Sequence, residues 1–304
     1  MKRPLSRHPV ALATMTSLVV GCATPNDRSS TTLTILTAGA LARPLRAAAD
    51  SFAGSRLHVA LESAGSLETA RKITDLGRRP TVVALADTAL FGALLAPDVG
   101  PVTAIAHTRV VLAYTSRSRF AGQIDSTNWY RVLQRPGVEV GRSDPTLDPA
   151  GYRALLVAEL AERHYGIQGL ADSLLMHEPA RNVRPKSADL VALLQTGNLD
   201  YAWEYESVAR SVGLRYVRLP AAIDLGDPAL SSQYAAVAVR VPGARGRQLV
   251  IRGAPVVFGI APLRGAQGAL GTRFIAFLSS PAGRRVLAGF SLEALDARDT
   301  ADTR

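Results

Sequence analysis

The sequence is short of cysteine, of aromatic residues and of clustered basic charge, and each shortage removes a class of protein. Cys22 is the one cysteine in 304 residues. No disulfide can therefore form within the chain, and the fold must rest on burial alone. Aromatics make up 6%, and although the formal net charge is +10, the lysines and arginines are scattered, with no run of five. Neither a basic stripe nor a set of base-stacking platforms is available, which excludes nucleic acid as an expected partner. No apolar stretch reaches the ~20 residues that a membrane-spanning helix needs. The five histidines, His8, His58, His107, His164 and His177, have no metal-ligand spacing. There is no G-x-S-x-G elbow and no Walker-type loop, and Gly39 and Gly65 lack the companion glycines of a dinucleotide fingerprint. No cofactor and no free metal cation is expected, and catalysis has no nucleophile–base pair to start from.

What is present begins with an export signal. Lys2 and Arg3 precede the apolar stretch Val10–Val20, and Val19-Val20-Gly21-Cys22 follows. Residues 1–21 read as a lipoprotein signal, with cleavage before Cys22 and lipid on its thiol; an ordinary signal with an incidental cysteine is the alternative. Loss of Lys2, Arg3 and Arg7 with that segment takes the net charge from +10 to +7. Residues 22–31 and 296–304 are small, polar and charged, as in a flexible tether and a disordered tail. The 47% hydrophobic content between them is enough for a substantial core.

From Leu33 onward short β-rich runs alternate with amphipathic stretches. Strands are predicted at Leu33–Thr37, Leu57–Leu61, Thr81–Ala86, Arg109–Thr115, Val138–Gly141, Leu199–Trp203 and Leu214–Leu219. Helices are predicted at Leu41–Phe52, Leu67–Leu76, Thr88–Leu95, Ser126–Leu133, Tyr152–Tyr165, Ala188–Gln195, Glu206–Ser211, Ala269–Leu278 and Pro281–Phe290. Tyr234–Val241 and Gln248–Phe258 read as a hairpin turning at Pro242–Arg247. The alternation implies an α/β protein of two lobes, each a mainly parallel sheet flanked by helices, with a cleft between them. Lobe I is expected to hold residues 32–112 and 237–295, and lobe II residues 113–236.

Four turns stand directly before helix-like segments: Thr37-Ala-Gly-Ala40, Ser63-Ala-Gly-Ser66, Asp148-Pro-Ala-Gly151 and Pro185-Lys-Ser187. A helix start exposes unpaired N–H groups and a partial positive charge, and several aimed at one point make an anion site. Gly39 and Ala40 offer backbone donors. Ser66 and Ser187 offer hydroxyls and potential N-caps. Asp148 is a cap with Pro149 at the first helical position and Ala150 behind it. Tyr205 brings a phenol at a strand end. A plain turn or cap is the structural alternative at each position, and Asp87, after the third strand, is most simply a cap as well.

At these residues the chain resembles the archaeal-type tungstate/molybdate-binding proteins that serve ABC importers. The likeness runs from about Leu33 to Ala294. It is carried by Ala64-Gly-Ser-Leu67 with Arg71-Lys-Ile-Thr-Asp-Leu-Gly77, Val111-Leu-Ala-Tyr-Thr115, Asn128-Trp-Tyr130 with Arg135-Pro136, Asp148-Pro-Ala-Gly-Tyr-Arg153, and Leu199-Asp-Tyr-Ala-Trp-Glu-Tyr205 with Ser207-Val-Ala209. The resemblance implies a type II periplasmic-binding-protein fold, extracytoplasmic capture of molybdate or tungstate, and delivery to an ABC permease in the inner membrane. It implies a periplasmic or cell-surface monomer, held to the membrane only by lipid on Cys22. The family's first ligand serine stands here as Ala40, its second as Ser66, its aspartate turn as Asp148 to Ala150 and its tyrosine as Tyr205. Its ligand glutamate falls on Ser187, which favours a near-tetrahedral anion with Asp148 as cap or weak extra ligand to the metal of the oxyanion. Phosphate or sulfate is the alternative guest. A non-transport envelope lipoprotein, or a hydrolase using Asp148 or Glu204 as base, is the alternative outside binding.

Overall fold

The computed structural model describes residues 32–54, 57–242, 248–265, 267–292 and 295. The signal, the lipidation site Cys22, the tether, the hairpin tip and the tail all lie outside them.

Lobe I starts with β1 (Thr32–Ala38), α1 (Ala42–Ala53), β2 (His58–Ala64), α2 (Ser66–Thr74), β3 (Val82–Leu85) and β4 (Thr103–Thr108). The Thr-Leu-Thr-Ile-Leu run of β1 suits a central strand, and its last four residues are all buried. Alternation of Leu45, Ala48 and Ala49 with charged residues makes α1 amphipathic, so its apolar stripe seals one face of the sheet. Lobe II follows with β5 (Val110–Tyr114), α3 (Trp129–Leu133), β6 (Val140–Ser143), α4 (Pro149–Tyr165), α5 (Leu170–Met176), β7 (Val183–Arg184), α6 (Ser187–Thr196), β8 (Tyr201–Tyr205), α7 (Glu206–Ser211) and β9 (Arg215–Arg218). Then come α8 (Ser231–Tyr234), the strands β10 (Ala238–Pro242) and β11 (Gln248–Arg252), and β12 (Val256–Pro262) with α9 (Gly268–Ser279) and α10 (Pro281–Ala288).

The two large sheets run in the orders β2-β1-β3-β12-β4 and β7-β6-β8-β5-β9. The two-lobed α/β architecture is the one predicted, but each sheet is mixed rather than mainly parallel. Strands β1, β2 and β3 are parallel, as are β6, β7 and β8, whereas β12 and β5 run antiparallel to both their neighbours. The antiparallel strands are those that follow the two passages of chain between lobes. Because β5 belongs to the second sheet, the first passage lies at Arg109 and not after Leu112. Arg109 ties the crossing together: its Nε meets Glu206 at 3.0 Å and its Nη1 meets Asp224 at 3.4 Å.

The long strand expected at Gln248–Phe258 is two strands. β11 pairs only with β10, and β12 joins the lobe I sheet. Gly253-Ala254-Pro255 separates them, since proline has no N–H for the ladder and Gly253 leaves room for the Tyr234 backbone. The hairpin therefore belongs to neither large sheet, in contrast to the lobe I position expected from the sequence; it packs on α4, and Arg71 of α2 donates to the Pro242 carbonyl at 2.8 Å. Strand β4 and helix α5 carry only short or weak periodicity and escape sequence reading. One hydrophobic cluster spans both lobes, and a smaller one lies under α6, where Leu190 and Leu194 are fully buried. Each such leucine contributes about 1.5–3 kcal/mol by burial.

Candidate functional site

Strand register decides where the four turns end up. β1 pairs in parallel with β2 so that Ala38 faces Ala64, and with β3 so that Thr37 faces Ala84. The Gly39 turn, the Gly65 turn and Ala86-Asp87 thus leave the sheet at one edge. In lobe II, β6 is parallel to β7 and β8, with Ser143 level with Arg184 and Gly141 level with Ala202. The segments leading to Asp148 and Ser187, and Tyr205 itself, leave that sheet at one edge too. Both edges are carboxyl ends, the usual position of ligands in open α/β sheets.

The two edges meet. A Cβ built on Gly39 would stand 3.4 Å from the Cβ of Ala188, next to Ser187, so the first and fourth turns touch. That is ordinary contact distance, so glycine is not sterically required there. At Gly65 it is: a side chain would overlap the Leu147 carbonyl of lobe II and come within 3.1 Å of the Asp148 Cβ. Asp148 in turn accepts from the Ser187 N–H at 2.9 Å. The contacts of Gly39 with Ala188, of Ser187 with Asp148, and of Gly65 with Leu147 and Asp148 thus tie the turns of the two lobes to one another.

The expectation that the helix-start amides converge unpaired does not hold. The Leu67 and Glu68 N–H groups of α2 both donate to the Leu147 carbonyl, at 3.0 and 3.4 Å. The Ala150 N–H of α4 donates to Asp148 Oδ1 at 3.1 Å and the Ser187 N–H of α6 to Asp148 Oδ2. A buried carboxylate is itself an anion at a helix start, and Asp148 serves two starts at once. Asp148 caps α4 with Pro149 in the first turn, as predicted. Ser66 and Ser187 do not cap. Each is the first helical residue, behind Gly65 and Lys186 respectively. Ser66 Oγ accepts from the Ala86 N–H at 2.9 Å, and Ser187 Oγ is buried with no partner among the described residues. Ala40 lies half-buried in the single turn Gly39–Leu41, which packs on α6.

Four participants are absent from the expected anion-binding set, although Asp87 is expected there as a cap and Glu204 as an alternative base. Arg153 of α4, 3% exposed, reaches across the cleft. Its Nη1 donates to the Ala86 carbonyl at 2.6 Å and to Tyr205 Oη at 2.7 Å, and its Nη2 meets Asp87 at 3.2 Å. Asp87 caps its own helical turn through the Ala89 N–H and also accepts from the Tyr152 hydroxyl at 2.6 Å. Leu147 contributes a carbonyl that no side-chain reading could find. Glu204 is fully buried beside Tyr205, its Oε2 accepting from the Tyr205 N–H at 2.7 Å. Arg153 had a legible signal: it lies on the apolar stripe of Leu156, Val157 and Leu160, where a cation needs an internal partner.

Burial dominates the electrostatics. It pushes the Asp148 carboxyl up to about 6, against the two amides and Arg153 that favour its charge. It pushes Glu204 up to about 8, helped by the nearby Asp148 charge. The Ser187 hydroxyl lies close enough to favour Glu204's charged form, yet Ser187 Oγ and Glu204 Oε1 have no partner at hydrogen-bond geometry. Burial also raises the Tyr205 phenol, which stays protonated and able to donate. Burial opposes the Arg153 charge, but Tyr205, Asp87 and Tyr152 outweigh it. Among the described residues no group of three His, Cys, Asp or Glu side chains is placed to hold a metal ion, and no helix is long and apolar enough to cross a membrane.

Comparison with known proteins matches the chain to a family. The family model "Bacterial extracellular solute-binding protein" covers residues 33–290. A solute-binding protein of Petrotoga mobilis is 39% identical over 231 residues, covering 74% of this chain and 71% of its own. The molybdate/tungstate-binding protein WtpA of Pyrococcus abyssi is 30% identical over 311 residues, covering 91% and 90%. Among solved structures, the periplasmic molybdate-binding protein of Azotobacter vinelandii superposes with a TM-score of 0.62 at 15% identity, over 87% of this chain and all of that one. The last likeness shows a shared fold.

Proposed function

This chain belongs to the bacterial extracellular solute-binding proteins, and from that premise we propose that its cleft captures molybdate or tungstate for an ABC permease. One observation supports the reading: turns from both lobes meet at the carboxyl ends of their strands, bringing buried hydroxyls, helix starts and one guanidinium together. The likeness to WtpA supports the choice of anion. The ligand set is Gly39 and Ala40 by backbone, Ser66 and Tyr205 by hydroxyl, and Ser187 with Asp148, Pro149 and Ala150 around the two lobe II helix starts. Donors fixed by the fold replace water around a dianion with little reorganisation, and exclusion of solvent strengthens each contact.

Asp148 and Glu204 must not repel the guest. Glu204, pushed up to about 8, serves this as a neutral carboxyl that can donate its O–H, whereas the charge of Asp148 is offset by the two helix-start N–H groups its oxygens accept and by Arg153. The alternative role for Asp148 is contact with the metal at the centre of the oxyanion, and there the short Ser187 leaves it without a second carboxylate at position 187. The protein works outside the cytoplasm as a monomer, with lipid on Cys22 as its membrane tether and no chemistry on the guest.

Isothermal calorimetry at neutral pH with molybdate, tungstate, sulfate and phosphate is the test. Molybdate and tungstate are expected to bind and sulfate and phosphate to bind far more weakly. Binding of phosphate alone, with Asp148 as the acceptor a protonated phosphate needs, overturns the choice of anion. Failure of all four overturns the reading.

A further inference from the structure

We infer that Arg153 is a positioning residue that turns the Tyr205 hydroxyl into an obligate donor to the bound oxyanion, and that it does so only when the lobes are together. The inference rests on the oxyanion reading above.

A guanidinium only donates, so the Arg153–Tyr205 bond of 2.7 Å uses Tyr205 Oη as acceptor. The Tyr205 O–H hydrogen must then point elsewhere, and among the described residues it meets no acceptor. Tyr205 itself is fully buried and packs edge-on against Phe258 of lobe I, with ring centroids 5.2 Å apart, so the ring cannot swing away to solvent. The guanidinium is held by lobe I groups: the Ala86 carbonyl at 2.6 Å and Asp87 at 3.2 Å, with Asp87 steadied by the Tyr152 hydroxyl. Separation of the lobes removes both anchors. Arg153 is then free to turn, and the hydroxyl of Tyr205 is no longer committed.

The same residue fixes the other hydroxyl by a separate route. The Ala86 N–H donates to Ser66 Oγ, so Ser66 too is left with its hydrogen for the guest. Ala86 thus holds one donor of lobe I through its N–H and, via Arg153, one donor of lobe II through its carbonyl. The Ser66 arrangement does not involve Arg153, and this difference makes the inference testable.

The experiment is a double-mutant cycle read by calorimetry with sodium molybdate on the exported full-length chain. Tyr205→Phe should weaken binding by roughly tenfold in the otherwise unsubstituted protein, the loss of a hydrogen bond to a charged group. In an Arg153→Met background the same change should cost less than about threefold, because the hydroxyl is already unaligned. Ser66→Ala should cost the same factor in both backgrounds. A residue that merely supports the fold would weaken or spare both effects alike. Should Arg153→Met fail to fold, Arg153→Lys takes its place: it keeps the charge, cannot hold Ala86, Asp87 and Tyr205 together, and should shrink the Tyr205→Phe effect in the same way. An undiminished Tyr205→Phe effect in the Arg153 variant that folds overturns the inference while leaving oxyanion capture intact. Absence of anion binding by the unsubstituted protein overturns both.

Discussion

Glu204→Gln isolates the most perturbed acid of the cleft. Glu204 is held by one acceptor contact, Oε2 to the Tyr205 N–H, and its other oxygen has no partner among the described residues. Glutamine keeps the acceptor and offers its NH2 to the unpartnered Ser187 Oγ, so the packing survives. Only the titration is lost. In the folded protein the carboxyl titrates at about 8, against 4.5 when free. Between those values the native state retains a proton that the unfolded chain has released, and stability falls as pH rises, by about 1.4 kcal/mol per pH unit. The contribution is complete below pH 4.5 and gone above pH 8, on the order of 5 kcal/mol in all. Asp148, raised from 3.8 to about 6, adds a slope of the same sign that ends near pH 6. Urea unfolding of both proteins at pH 5, 6, 7 and 8 is the assay. The unsubstituted protein should lose stability throughout, whereas Glu204→Gln should lose it only up to about pH 7, the buried Glu178 being pushed up to about 7 as well, and be the more stable of the two at pH 8. Parallel losses between pH 6 and 8 would refute the reasoning, because they would place Glu204 in contact with water or already ionised.

Three further outcomes are expected. Gly65→Ala adds a Cβ where the Leu147 carbonyl stands, although the backbone at φ −65°, ψ 152° suits alanine; calorimetry should show molybdate affinity reduced about tenfold or more, a cost of about 1.4 kcal/mol for lobes that no longer meet. Asp148→Ala leaves the Ala150 and Ser187 amides without their acceptor, at about 1–3 kcal/mol each, and the loss in melting temperature should be partly recovered by saturating molybdate, which competes for the same donors. Arg109→Met strips a partner from the buried Asp224 and Glu206 at the crossing between lobes, and calorimetric melting should report a loss of about 3 kcal/mol, Glu206 keeping Arg218 at 2.6 Å.

Most elements were legible because their periodicity is strong. The stripe of Leu45, Ala48 and Ala49 marks α1 without any tertiary information, and the Asp148-Pro149 pair announces the start of α4 by capping chemistry alone. The elements that escaped, β4, β7, α5 and α8, are short and draw their stability from neighbours. Within the candidate site, the turns could be named from sequence because glycine, serine and aspartate before an apolar run have local meanings. What those residues bond to could not. Ser66 and Ser187 have the composition of N-caps, but in the folded chain one hydroxyl is claimed by Ala86, 20 residues further along the chain and beyond any local rule, and the other has no partner among the described residues.

The amino-acid order by itself determined most of the strands and helices, that glycine-, serine- and aspartate-bearing turns stand at the ends of strands, and which family the chain resembles. These follow from interactions between residues near in sequence, where period and capping act. Tertiary structure alone decided that helix-start amides are taken by Asp148 and by the Leu147 carbonyl, that Arg153 spans the lobes to Ala86, Asp87 and Tyr205, and that Glu204 holds its proton near neutral pH. Those properties depend on desolvation and on partners brought together from distant parts of the chain, and no window of sequence contains either.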